Sequence, residues 1–127
     1  MTNPDEFYDV DDSFPMLMAT CVKYMRESLN KRFSDAGISL TAEQWMVMTY
    51  LADQDGVSQQ DLADRYDRSK ASAMHLVRKL EKSGLVIRKP DPIDGRSNRV
   101  FLTSEGRKLQ KLMIPLAKEN MAYKSEG

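Results

Sequence analysis

The chain has one cysteine, one histidine and one tryptophan in 127 residues. A single cysteine, Cys21, excludes an intramolecular disulfide framework and fits a reducing compartment. A single histidine, His75, excludes a multi-histidine metal site. The six glycines form no phosphate-cradling loop, and no nucleophile stands beside an evident base. The chain is therefore read as not an enzyme, with no cofactor and no metal. No apolar run approaches the roughly 18 residues needed to span a bilayer. Asp5, Glu6, Asp9, Asp11 and Asp12 crowd the start, where a signal peptide would be basic and then apolar. No membrane partner and a cytoplasmic location are the expectations.

What the chain does have is an uneven spread of charge. The formal net charge is zero, from 19 basic and 19 acidic residues. Residues 1–56 carry four Lys/Arg against ten Asp/Glu, and residues 57–127 carry fifteen against nine. One half is suited to face a polyanion and the other faces elsewhere. The length suits one domain with a single core. Neither an internal repeat nor a linker is visible.

The stretch from Arg68 to Lys82 is the most informative. At helical spacing, Ala73, Leu76, Val77 and Leu80 line one apolar stripe. The opposite face holds Ala71, Ser72, His75, Arg78, Lys79 and Lys82, with no carboxylate among them. Glu81 lies to the side. A helix with an apolar back and a short, cationic front can enter a major groove. It can equally be an ordinary surface helix, and its neighbours decide between the two.

Upstream, residues 1–12 read as an acidic arm. Ser13 can cap a first helix and Pro15 fits its first turn. Phe14, Leu17, Met18, Cys21, Val22, Met25, Leu29 and Phe33 then keep helical spacing until Gly37. So long a stripe is either core or half core and half subunit interface. Thr41-Ala-Glu-Gln44 is a capping box that opens a second helix, with Trp45, Val47, Met48, Leu51 and Ala52 as its apolar set. Ser58 caps a short third helix, with Asp61 at the box position and Leu62, Ala63 and Tyr66 turned inward. A brief turn at Asp67 and Arg68 leads into the basic helix, which stops at Gly84. Two short helices joined by a tight turn form a helix-turn-helix pattern.

Beyond Gly84 the periodicity changes. Leu85–Lys89 and Val100–Leu102 read as two strands around an exposed tip rich in Pro, Asp and Gly, with Arg96 on the tip and Arg99 beside it. Such a ribbon behind a helix-turn-helix is a wing. Thr103 caps a last helix that carries Leu109, Leu112, Met113 and Leu116 on its inward side. Pro115 should kink it or end it early, leaving a frayed tail from Lys118.

Taken together, these segments resemble the MarR-type winged-helix transcription factors. The resemblance rests on Leu40-Thr41-x-x-Gln44, Leu62-Ala63, Leu76-Val77-x-x-Leu80-Glu81-x-x-Gly84-Leu85-Val86, and Asp94-Gly95-Arg96-x-x-Arg99-Val100-x-Leu102-Thr103-x-x-Gly106. It covers about residues 38–109. It implies a mainly α fold with a small β-wing: residues 1–36 as acidic arm and dimerisation helix, 37–103 as winged helix-turn-helix, and 104–127 as C-terminal dimerisation helix and tail. It also implies an obligate homodimer and binding of double-stranded DNA, typically as a repressor relieved by a small phenolic or aromatic effector. Phe14, Leu17, Met18, Cys21, Leu112 and Leu116 are the candidate dimer contacts.

For DNA reading, Lys70, Ser72 and His75 stand on the N-terminal half of the basic helix, with Ala71 or Met74 able to touch a thymine methyl. Arg78, Arg68 and Lys79 are further contacts to base or phosphate. Ser58, Gln59 and Ser69 sit at helix starts that favour phosphate. Arg96 and Arg99 belong to the wing over residues 90–99. In the relatives the arginine matching Arg96 enters a minor groove and the Asp94 equivalent positions it. Asp94 as a plain turn former is the competing reading. Cys21 reads as a buried structural cysteine rather than a redox sensor, which the relatives place about one turn earlier. The alternative to a DNA-binding regulator is a winged-helix module that grips protein.

Overall fold

The computed structural model describes residues 10–66 and 69–126, with side chains described from 13 to 119 within those limits. Its elements run α1 (Val10–Asp35), α2 (Ala42–Asp53), β1 (Val57–Ser58), α3 (Gln59–Arg65), α4 (Lys70–Lys82), β2 (Val86–Pro90), β3 (Asn98–Leu102) and α5 (Ser104–Glu126). The architecture is mainly helical with a small antiparallel sheet, as expected. Residues 1–9 of the acidic arm and the turn at Asp67 and Arg68 lie outside the described residues.

Local chemistry explains most helix ends. At the end of α1, Gly37 adopts φ 79°. Ile38 N donates to Phe33 O and Gly37 N donates to Ser34 O, both at 2.9 Å. This crossed pair satisfies carbonyls the helix would leave orphaned. Gly84 (φ 75°) repeats the device after α4, with Leu85 N to Leu80 O and Gly84 N to Glu81 O at 3.0 Å. The capping box is present at α2: Gln44 N donates to Thr41 Oγ1 at 3.2 Å, and Thr41 N donates to Gln44 Oε1 at 2.9 Å.

Two expectations about the long helices are corrected. α1 begins at Val10, so Ser13 is not its cap and Pro15 lies inside it. α5 continues through Pro115 to Glu126 instead of ending early, so the backbone after Lys118 is helical rather than frayed.

The sheet has three strands in the order β1-β3-β2, not the two of a simple ribbon. Val57 pairs with Val100 and Ser58 with Arg99 on one side of β3, and Val86 pairs with Leu102 on the other. β1 is only two residues long, and its Ser58 also caps α3 by accepting from Asp61 N at 3.0 Å. No alternating pattern can announce so short a strand.

The core gathers Val47, Met48 and Leu51 of α2, Leu62 of α3, Val77 and Leu80 of α4, Leu85, Val86 of β2, and Val100 and Leu102 of β3. Each large buried side chain contributes about 1.5–3 kcal/mol. Next to this core, α1 and α5 pack on each other and on α2. There Phe33 is fully buried and tilts against Trp45, with ring centroids 5.8 Å apart. The Trp45 indole N–H donates to Gln110 O at 3.3 Å, so this half-buried residue anchors α2 to α5.

The start of α5 is locked under Gly84 and Leu85. Thr103 N donates to Leu85 O at 3.0 Å, Thr103 Oγ1 donates to Gly84 O at 2.7 Å, and Gly106 N donates to Thr103 Oγ1 at 3.0 Å. A Cβ at Gly106 would overlap the Leu85 carbonyl. Ala normally favours a helix over Gly by about 1 kcal/mol. Gly106→Ala is nevertheless expected to destabilise the protein by about 3 kcal/mol. Urea unfolding checks this, and a rise in stability would contradict the packing described.

Candidate nucleic-acid interface

α4 is the centre of the site. Its inner side buries Ala73, Met74, Val77 and Leu80. With that side pinned, Ala71, Ser72, His75, Arg78, Lys79 and Lys82 are exposed. Ser69 caps the helix, accepting from Ser72 N at 3.1 Å and donating to Ser72 Oγ at 3.0 Å. Among the described residues no hydrogen bond or ion pair holds the side chains of Lys70, His75, Arg78 or Lys79. Their donors are available to a ligand.

Met74 is a correction. It is only 8% exposed, so it forms floor rather than a thymine contact. The apolar stripe of α4 is wider than its four marked positions, because α3 and β2 flank it. Arg68 lies outside the described residues.

Glu81, the one acid of α4, is drawn aside. Arg88 of β2 donates to it through two nitrogens, at 3.0 and 2.9 Å. This bidentate pair holds the Glu81 carboxyl below its usual range and the Arg88 guanidinium above its own. The pair takes a carboxylate off the basic face. It also ties α4 to the strand that carries the wing.

The wing loop is built around Asp91, which the sequence reading overlooked. Asp91 Oδ1 accepts from Ile93 N at 2.8 Å and Asp94 N at 3.1 Å, while Oδ2 accepts from Arg99 Nε at 2.8 Å. Its own N–H donates to Ser97 O at 2.9 Å. The signal was present as an Asp just before a proline-bearing turn, where its side chain can bond the backbone two residues on. Asp94 forms a second such turn, accepting from Arg96 N at 3.1 Å and Ser97 Oγ at 3.2 Å. It is a turn former whose bond holds the Arg96 backbone. The exposed Arg96 side chain has no partner among the described residues.

Arg99 is a second correction. Beyond Asp91, its guanidinium donates to Gly56 O at 2.9 Å. It braces the base of the wing against β1 instead of standing free to meet a ligand.

A cleft of about 350 Å³ opens behind α4, lined chiefly by Val22, Met25, Leu29, Met46, Tyr66 and Leu76. Arg26 and Glu43 pair across its rim at 3.4 Å. Tyr66 donates to Met46 O at 2.6 Å, and burial pushes its phenol up to about 12. One wall of the cleft thus comes from the basic helix itself, through Leu76.

The outer side of α1 is apolar and uncovered among the described residues. Phe14, Met16, Leu17, Met18 and Val22 are all more than half exposed, as is Leu112 of α5 at 65%. Leu112 is therefore exposed among the described residues, while Leu116 is half-buried. Cys21 is exposed here, not enclosed as a structural cysteine of the core.

A helix-turn-helix whose second helix is basic outside, followed by a strand-loop-strand wing, is a winged helix-turn-helix domain. Residues 40–97 match the family model of the MarR family. Over this segment the chain is similar to that family. It is 38% identical to the transcriptional regulator HosA of Escherichia coli O111:H- over 77 residues, covering 61% of this chain and 57% of HosA. The chain therefore spans little more than half the length of that curated relative. Among solved structures it resembles the DNA complex of S. aureus MepR, with 25% identity, a TM-score of 0.80, and 95% and 85% of the two chains covered. It also resembles Bordetella bronchiseptica BpsR, whose DNA binding is regulated by 6-hydroxynicotinic acid. There the identity is 25% and the TM-score 0.79, over 92% and 82% of the chains.

The order of the wing should depend on Asp91 ionisation. Three hydrogen bonds to the charged carboxylate, from Ile93, Asp94 and Arg99, hold its pKa below 3.8. A depressed folded-state pKa means the stabilisation is complete above the unfolded value and is lost as pH falls through the folded one. The protection of the Ile93 and Asp94 amides, relative to their intrinsic exchange rates, should stay high down to that unfolded value and fall at lower pH. Asp91→Ala should lack that protection already at neutral pH. Unchanged exchange in that variant would remove Asp91 from its central place in the loop.

Proposed function

We propose that the chain is a transcriptional regulator that binds double-stranded DNA as a homodimer and acts as a repressor. The observation that carries this reading is the set of exposed cations and short polar side chains on α4 together with Arg96 on the wing. In this reading α4 lies in the major groove. Lys70, Ser72 and His75 meet base edges, Ala71 touches a thymine methyl, and Arg78 and Lys79 reach phosphate. The wing over residues 90–99 follows the adjacent minor groove. There Arg96 meets the negative potential of a narrow A·T tract. Ser58, Gln59 and Ser69 stand near the backbone. Likeness to a MepR chain solved on DNA supports the reading.

The partner for the apolar side of α1 is a second copy. Phe14, Leu17, Met18 and Cys21 together with Leu112 and Leu116 would form the twofold contact. In such a dimer the two copies of α4 should stand about 34 Å apart, one turn of B-DNA, over a pseudo-palindromic operator. The cleft beneath Leu76 suits a small aromatic or phenolic effector, with apolar walls and a polar rim. Binding there would act on α4 directly, through the Leu76 wall. Likeness to BpsR supports this part.

Fluorescence anisotropy with DNA from the neighbouring promoter should show salt-sensitive binding that random duplex does not match. Arg96→Ala should weaken it by about 1–3 kcal/mol while the melting temperature stays within a degree or so, because an exposed wing residue buries little. Equal affinity for both duplexes would rule the reading out and leave the protein-gripping alternative. Analytical ultracentrifugation should find a dimer, and Leu17→Glu should yield monomers. A Leu17→Glu dimer as tight as the parent would remove α1 from the interface.

A further inference from the structure

The loop between β2 and β3 presents an apolar side chain to solvent. Ile93 is 95% exposed, the most exposed large hydrophobic residue among those described. A lone exposed apolar group on a surface is ordinary. Ile93 differs in how its backbone is held. Its N–H donates to Asp91 Oδ1 at 2.8 Å, and the Asp94 N–H donates to the same oxygen at 3.1 Å. Pro92, directly before it, has a φ fixed by its ring. The other Asp91 oxygen accepts from Arg99 Nε at 2.8 Å, and Arg99 donates in turn to Gly56 O at 2.9 Å. A run of hydrogen bonds therefore leads from the Ile93 backbone to the body of the domain. The tip is set before any ligand arrives, so ordering it on binding costs little. Three residues on, across the turn that Asp94 closes, the exposed Arg96 stands on the same tip.

We propose that Ile93 is an apolar wedge for the DNA minor groove and that it sets base preference under the wing. The proposal rests on the DNA-binding reading and adds to Arg96 a contact of different chemistry. A minor groove offers negative potential along its length and hydrocarbon walls made by the deoxyribose rings. A cation beside an apolar group matches both. Apolar side chains, isoleucine among them, enter minor grooves and press between base pairs, partly unstacking them. TA and CA/TG steps yield most readily to such a wedge. Every G·C pair projects the guanine 2-amino group into the groove. That group fills space the wedge needs, and its N–H would face hydrocarbon with no acceptor. Arg96 thus responds to the potential of the groove, and Ile93 to whether its floor is clear. A protein surface would call for a wider apolar patch, and Ile93 is the one large hydrophobic residue between Asp91 and Ser97.

The test is fluorescence anisotropy of the full chain on the promoter duplex and on two altered duplexes. In these the A·T pairs flanking the α4 footprint become G·C or inosine·C. The two replacements share a major-groove face, and only inosine·C lacks the amino group in the minor groove. Ile93→Ala should bind the promoter duplex roughly five- to tenfold more weakly than the parent. Its salt slope should be unchanged because no charge is lost, whereas Arg96→Ala should lower the slope. Ile93→Leu should bind within about twofold of the parent. The parent should prefer the inosine·C duplex to the G·C duplex, and Ile93→Ala should narrow that gap. The melting temperature of free Ile93→Ala should stay within about a degree of the parent's, which separates lost contact from lost fold. If Ile93→Ala binds the promoter as the parent does, the proposal is overturned and Ile93 is left to a protein partner or to none. An equal loss on the inosine·C and G·C duplexes overturns it too, because the contact then ignores the floor of the groove. Failure of the functional reading shows separately, in the parent, as equal affinity for promoter and random duplex, and the wedge then falls with it.

Discussion

The burial of Val77 and Leu80 is the constraint on which the rest depends. Both side chains are fully enclosed, in contact with residues from α2, α3, β2 and β3. Once they are in place, the rotation of α4 about its own axis is set. The positions that must then face outward are Ala71, Ser72, His75, Arg78 and Lys79. A helix held only at its ends would present a blurred surface. Held along its length by close-packed side chains, it presents one. The chemistry of the outer face is thus a consequence of packing on the inner one.

Beyond the apolar packing of Val86, Val100 and Leu102 on α4, polar links help to position the wing. The Glu81–Arg88 pair joins the helix to β2. Arg99 joins the loop to the start of β1 through Asp91 and Gly56 O. Asp55 adds a third link, accepting from Leu102 N at 2.9 Å and from Arg107 at 3.0 Å. A thin ribbon has little apolar area to bury, so directional bonds are the means available to hold its angle. This explains why Asp55, Glu81, Arg88, Asp91 and Arg99 are engaged within the chain, while Arg96 at the tip has no partner among the described residues.

The same division of labour decided what could be read from residues alone. The α4 stripe, the capping box of Thr41 and Gln44, the Ser58 cap and the glycine stops at Gly37 and Gly84 were all legible. Each is a property of neighbours within about one helical turn. At the site, the errors fall where a distant partner intervened. Met74 sits at the edge of the stripe and is covered by flanking elements. Arg99 looks like a free wing cation until Gly56, 43 residues away, accepts from it. Asp91 reads as one more turn acid until its three donors converge on it.

Sequence alone therefore determined the order of elements, the caps and which face of α4 is basic, because these follow from helical period and short-range hydrogen bonds. Tertiary structure alone decided which charges are spent on bracing and which stay free. It also decided that β1 exists and that a cleft lies behind Leu76. Those outcomes depend on groups that meet across the fold, and no local pattern encodes such a meeting.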